Sequence, residues 1–314
     1  MSAPVRRADR RDPVQALLFG AVDYAGLFPP AQLDMPGAVA EYASYLASED
    51  RWALGWLVVP AARLEELASA AGELIDPQAR SLGEDRCWTL SVVFGGDVAA
   101  DTDRVRAFQA RHGDERDGWF AQVQAIELRA TTPDAVHAAM RIVPDEFERF
   151  VEIPLAGDVR AMVRAIGAEH ASAKVRTGGT TADAFPSSDD VVRFLAACVA
   201  EDVPFKATAG LHHAVRGSYP LTYAPDSARG TMYGFLNIML AAAFLGAGES
   251  DATARHVLEE RDSSAFEFED AVVSWRGRRL SVDQLAHSRN SAIRSFGSCS
   301  FREPIDDLAS LGLL

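Results

Sequence analysis

Lysine is nearly missing from this chain. Of the 31 lysine and arginine residues among 314, two are lysine, Lys174 and Lys206, and the other 29 are arginine. Positive charge as a whole is also short. The formal net charge is −14, which argues against a nucleic-acid or anionic-membrane partner, because phosphate-rich surfaces call for a basic face. Cysteine is sparse too. Cys87, Cys198 and Cys299 form an odd, widely spaced set with no CxxC pair, which excludes a disulfide framework and a zinc knuckle. They read as free thiols of a cytoplasmic protein. No apolar run reaches the roughly 18 residues that span a bilayer, and the longest, "FLNIMLAAAFLGAG", reads as a buried helix. No GxGxxG follows the first apolar run and no P-loop occurs, so the usual nucleotide phosphate cradles are missing. The opening "MSAPVRRADRRDP" lacks the apolar core of a signal peptide, and residues 1–13 are expected to be a disordered tip.

What the chain does have is a 48% hydrophobic content, enough for a large core. It also has one repeated pattern. Short apolar runs alternate with amphipathic helical stretches eight times, from "GAVDYAG" with "MPGAVAEYASYLASE" to "IRSFGSCSF" with "REPIDDLASLG". The runs are short, rich in β-branched and aromatic residues and apolar on both faces, as buried parallel strands are. Capping signals open several helices, Thr132-Pro133-Asp134 and Ser187-Ser188-Asp189-Asp190 being the clearest. The expected fold is an α/β (β/α)8 TIM barrel over 14–314 as a single domain. Two stretches interrupt the alternation. Residues 211–230, polar, aromatic and proline-bearing, follow the seventh strand on the face where barrels do chemistry, and are expected to be a lid. Residues 247–292 read as a helix and a hairpin turning at Arg276-Gly277, an insertion before the last strand. The insertion either covers the site or builds a homo-oligomer contact.

Residues at the C-terminal ends of barrel strands point into the site. That rule selects Asp23, Glu127 or Gln124, Glu152, Lys174, Arg176, Lys206, His212 or His213, and Ser298 or Ser300. The result is a largely basic cup in an acidic protein, suited to a small anionic substrate. Lys174 and Lys206 are 32 residues apart, about one βαβ unit, and so belong on neighbouring strands. A lysine amine can lose its proton when desolvated or crowded by another cation, whereas a guanidinium effectively cannot. The neutral amine then attacks a carbonyl to form a Schiff base. A chain that needed positive charge alone would, by its own habit, have used arginine at both places.

These residues carry a resemblance. Lys174-Val175-Arg176-Thr177-Gly178 resembles the sixth-strand motif of class I deoxyribose-phosphate aldolases, and "FKATAGLHH" is similar to their seventh strand with its second lysine. "FVEIPL", "AVDYAGL" and "SFGSCSF" resemble their fifth, first and eighth strands in turn. The resemblance implies a Schiff-base lyase that needs no cofactor and no metal. In it Lys174 is the nucleophile and Lys206 the group that perturbs it; the candidates that the sequence itself offers for moving protons are Asp23, Glu152 or a histidine, and Glu127 if it faces the site. Arg176, Thr177, Gly297, Ser298 and Ser300 would lie near the anionic end of the substrate.

Two positions depart from that pattern. Gln124 falls where the family has a fourth-strand aspartate, and Glu127 has the opposite strand parity, so it faces the site only if a bulge intervenes. The seventh-strand glycine pair becomes Gly210-Leu211, with His212 and His213 following. The implied substrate is therefore a carboxylate or a differently shaped phosphate, not deoxyribose phosphate itself. Two other classes compete. Glu152 with His212 or His213 could serve a metal-dependent hydrolase or isomerase, though no HxH or HExxH spacing occurs. A non-catalytic metabolite-binding barrel is the third reading, and the lysine pair speaks against it. Ser298 and Ser300 either cap the last helix or begin an anion site there. Cys299 has no assigned base and reads as a buried structural thiol.

Overall fold

Short strands that are apolar on both faces are stable inside a parallel sheet covered by helices, and this chain builds that arrangement. The computed structural model describes residues 12–74, 87–113 and 120–314. The first seven barrel strands are β1 (Val22–Tyr24), β2 (Leu54–Pro60), β3 (Cys87–Val93), β4 (Phe120–Arg129), β5 (Glu148–Glu152), β6 (Ser172–Arg176) and β7 (Phe205–Thr208). A hairpin of β8 (Gly217–Pro220) and β9 (Arg229–Met232) follows. An antiparallel sheet of β10 (Phe266–Glu269), β11 (Val272–Trp275) and β12 (Arg278–Ser281) precedes the last barrel strand, β13 (Ile293–Ser298). The eight parallel strands close in the order β1, β13, β7, β6, β5, β4, β3, β2, so the expected (β/α)8 barrel is the fold.

Helices cover it. Among the described residues these are α1 (Pro13–Leu18), α2 (Met35–Leu46), α3 (Leu64–Leu74), α4 (Val98–His112), α5 (Pro133–Met140), α6 (Val159–Ala168), α7 (Ser188–Ala200), α8 (Phe235–Gly246), α9 (Asp251–Glu259), α10 (Val282–Ser291) and α11 (Arg302–Ser310). The capping signals act as read. The Thr132 hydroxyl accepts from the Ala135 amide and the Ser187 hydroxyl from the Asp190 amide, each satisfying a first-turn donor. The run "FLNIMLAAAFLG" is α8, buried along almost its whole length. No helix among the described residues is long and apolar enough to cross a membrane.

Three boundaries differ from expectation. The tip expected over 1–13 mostly lies outside the described residues. At its end, the Asp12 carboxylate accepts from the Val14 amide at 2.8 Å and caps α1, and Pro13 is already helical. Residues 211–230 hold the β8–β9 hairpin, because Gly217 to Pro220 pair with Met232 to Arg229. The 247–292 insertion contains the expected helix and the turn at Arg276-Gly277, both with positive φ (47° and 81°), as a tight hairpin requires. It adds a third strand, β10, and α10. Buried Glu260 ties this sheet down, accepting from the Trp275 indole at 3.1 Å and from Arg276 at 2.6 Å.

One irregularity matters for the site. Along β3 and β4, Leu90 pairs with Val123 but Ser91 pairs with Ala125. Gln124 is thus an extra residue in a β-bulge, and the bulge reverses the facing of everything after it.

Candidate active site

Strand register sets which side chains meet. Glu152 pairs with Lys174, Lys174 with Lys206, and Arg129 with Glu152, which brings four charged side chains from four adjacent strands to one end of the barrel. The bulge at Gln124 turns Glu127 inward, where it is 1% exposed. Gln124 itself stays out of the site, its amide donating to Gln122 at 3.1 Å.

The inward charges form an alternating chain. Lys206 Nζ lies 2.6 Å from Asp23 Oδ2 and 2.6 Å from Glu127 Oε1. Lys174 Nζ lies 2.8 Å from Glu127 Oε2 and 3.0 Å from Glu152 Oε2. Glu127 therefore stands between the lysines and gives one oxygen to each. Hydroxyls and a backbone amide complete the carboxylates. Ser91 donates to Glu127 at 2.6 Å, Ser295 donates to Asp23 at 2.6 Å, and the Trp56 amide donates to the other Asp23 oxygen at 2.9 Å. Burial of this many charges is tolerated only when each is paired and hydrogen-bonded in this way. Gly55 makes room for the arrangement, since a Cβ there would collide with Asp23 Oδ1 and press on the carbonyls of Gly20 and Val22.

Protonation follows from the pairing. Burial would raise the pKa of Glu127, but the two lysines outweigh it and hold the carboxyl well below its usual range. Burial would lower the pKa of Lys206, but Asp23 and Glu127 outweigh it and keep the ammonium charged. The Lys206 ammonium also faces the rings of Trp56 and Phe150, at 6.0 and 5.5 Å from their centroids. The Glu127 carboxylate bonds both ammoniums, one oxygen to each. The expectation that Lys206 acts as a neighbouring cation on Lys174 therefore meets an arrangement in which a carboxylate separates them.

A cavity of about 410 Å³ opens above this chain of charges. Glu127, Glu152, Lys174 and Lys206 border it, as do Arg176, His212 and Gly297. Of these, Lys206 has no water-accessible surface, while Lys174 is 7% exposed. The other expected site residues lie behind the wall. Asp23 is buried beneath Lys206. Thr177 donates to the Ala209 carbonyl at 2.8 Å, tying the end of β6 to the turn after β7. His213 stacks on Tyr219 and bonds Asp307 at 3.2 Å, holding the hairpin to α11. Ser300 accepts from the Glu303 amide at 3.2 Å and so caps the first turn of α11, one of its two readings. Ser298 is 2% exposed, with its hydroxyl 3.4 Å from His212 Nδ1.

Three residues that the sequence did not point to belong here. Arg129 borders the cavity two residues past Glu127, so it shares that residue's facing once the bulge is known. Cys299 also borders it. Glu303, in the first turn of α11, bonds His212 Nδ1 at 2.9 Å, so a carboxylate stands where the sequence suggested a site for an anion. Glu152, His212 and His213, the residues considered for a metal, each bond a different partner: Lys174, Glu303 and Asp307. Among the described residues no three metal-ligating side chains converge.

A comparison with protein-family models finds no match to this chain, and a comparison with curated proteins finds none either.

Proposed function

We propose that this chain is a Schiff-base lyase of the aldolase type, making or breaking a carbon–carbon bond in a small anionic carbonyl compound. The observation that carries the reading is Lys174. It is one of two lysines in the chain, it borders the cavity, and its amine lies between two carboxylates with unequal surroundings.

In cleavage, Lys174 passes a proton to Glu152 and attacks the substrate carbonyl carbon, and water leaves as the iminium forms. Glu152 suits this task because its side chain is 14% exposed and it bonds one lysine. Glu127 does not, because two cations hold it ionised. It is the fixed negative charge beside the iminium instead, an electrostatic role that costs no reorganisation during the reaction. Lys206 and Asp23 keep Glu127 in place from below. The carbon–carbon bond then breaks with its electron pair moving into the iminium, and the enamine takes a proton on carbon. Water adds back and returns Lys174 as the free amine.

With Asp23 counted beneath Lys206, three carboxylates meet two ammoniums under the cavity, an excess of negative charge. The substrate's anionic group therefore belongs at the rim, where Arg129 and Arg176 border the cavity and, among the described residues, form no ion pair with a carboxylate. The test is to incubate the protein with small aldehydes, ketones and oxo acids plus borohydride and to map the adduct by peptide mass spectrometry. A reduced adduct on Lys174, absent in Lys174→Arg, is expected. A broad panel that leaves Lys174 of the folded protein unlabelled sinks the proposal.

A further inference from the structure

Breaking a carbon–carbon bond toward an iminium also requires a group that moves the proton of the substrate's hydroxyl, and the cavity carboxylates are all engaged with lysines. His212, in the segment after β7, is a further ionisable side chain that borders the cavity. Its Nδ1 bonds Glu303 Oε2 at 2.9 Å and lies 3.4 Å from the Ser298 hydroxyl and 3.8 Å from Cys299 Sγ. No partner of Nε2 is found among the described residues, and the ring borders the cavity that holds Lys174. We infer that His212 is the acid–base residue that takes the hydroxyl proton in cleavage and returns it to the aldehyde oxygen in synthesis, with Glu303 as its positioning residue. The inference rests on the Schiff-base reading above.

The surroundings of the ring fit that task. Glu303 fixes the ring through one nitrogen and leaves the other to face the substrate, as a carboxylate does for many acid–base histidines. His212 also borders a second cavity of about 380 Å³ beneath the hairpin, lined by Pro30, Leu221, Tyr223 and Met232 among others. Tyr223, in the loop between β8 and β9, donates to the same Glu303 oxygen at 2.9 Å and approaches Cys299 Sγ at 3.5 Å. The hairpin thus closes over the site by docking on the residue that holds His212.

The protons balance. As the bond breaks, neutral His212 takes the hydroxyl proton while the hydroxyl carbon becomes an aldehyde. That proton passes through solvent to the enamine carbon, and the water lost on iminium formation is recovered on hydrolysis. Burial would lower the pKa of His212, but Cys299 and Glu303 outweigh it and lift it to about 9. The groups facing the ring are Glu303 of α11, Tyr223 of the hairpin loop, and Ser298 and Cys299 at the end of β13. The same cavity is also bordered by the two lysines, Glu127, Glu152, Arg129 and Arg176, and on the other side His213 bonds Asp307.

The probes are a panel of β-hydroxyketo acids and β-hydroxyaldehyde phosphates, with borohydride trapping and cleavage measured on the same samples. His212→Asn should trap carbonyl at Lys174 to within about threefold of wild type but lose cleavage by about a hundredfold or more. In wild type, kcat/KM for cleavage should rise with pH through a limb near 9. In Glu303→Gln that limb should move to lower pH, which a merely structural role would not produce, and cleavage should fall by about tenfold. His212→Asn cleaving within about threefold of wild type overturns the inference and leaves the Schiff-base reading standing. So does a limb unmoved in Glu303→Gln, which also decides the matter if His212→Asn fails to fold. Wild type that traps no carbonyl at all takes down both.

Discussion

Replacing Glu127 by glutamine isolates the charge at the centre of the chain from Asp23 to Glu152. The amide preserves shape and can still accept the Ser91 hydroxyl, but two ammoniums lose a shared counter-charge. Removing one member of a buried ion pair costs about 3–5 kcal/mol. Here Lys206 keeps Asp23 and Lys174 keeps Glu152, so the lower end applies, about 3 kcal/mol of a total that for most domains is about 5–15. The effect must depend on pH in one direction. Glu127 has a folded-state pKa below its unfolded value of 4.5, so its stabilisation is fully present above 4.5 and is lost as pH falls toward the folded value. Lys206 has a folded pKa above 10.5, so its contribution is present below 10.5 and lost only in strong alkali. The gap between wild type and Glu127→Gln should therefore be widest near neutrality and narrow steadily in acid. Guanidinium unfolding followed by circular dichroism at several pH values would measure it, as a shift of midpoint at constant slope. A gap below about 0.5 kcal/mol near neutrality, or one that stays constant into acid, would refute the electrostatic account.

Further outcomes follow from neighbouring geometry. Lys206→Met leaves Asp23 and Glu127 without their shared cation, so the protein should lose about 3–5 kcal/mol of unfolding free energy; a variant as stable as wild type contradicts the pairing. Gly55→Ala drives a methyl group into Asp23 and two carbonyls, and a loss of about 1–3 kcal/mol is expected, read as a lowered denaturation midpoint. Arg129→Met and Arg176→Met should each raise KM for an anionic substrate by about tenfold, the loss of about 1.5 kcal/mol of charged hydrogen bonding. They should leave kcat nearly unchanged, since the rim holds substrate and transition state alike. A fall in kcat with constant KM would move those arginines into the chemistry.

The barrel was legible because it depends on local pattern. Eight apolar runs such as "ALGWLVVP" and "PFKATAG" can be buried on both faces only in a helix-covered parallel sheet, and helix starts at Thr132 and Ser187 announce themselves by chemistry that acts over three residues. The two lysines were legible for a similar reason. Their rarity and their 32-residue separation put them one βαβ unit apart, and the register pairs them directly.

Parity along β4 was not legible. The sequence sets Glu127 and Gln124 on opposite faces, but which one turns inward depends on a bulge placed by pairing with β3, a strand separated from β4 by α4. The same bulge brings Arg129 to the rim. Glu303 and Tyr223 were hidden for another reason. Glu303 meets His212 from about 90 residues away along the chain and Tyr223 meets Glu303 from about 80, and nothing local marks a first-turn glutamate as a partner for a distant histidine. Sequence alone determined the eight barrel strands, the helices that follow them and the placing of the two lysines on neighbouring strands. Only the closed barrel decided that a carboxylate would stand between those amines, because that position depends on register and on the facing of a bulged strand, which are settled by contacts between segments far apart in the chain.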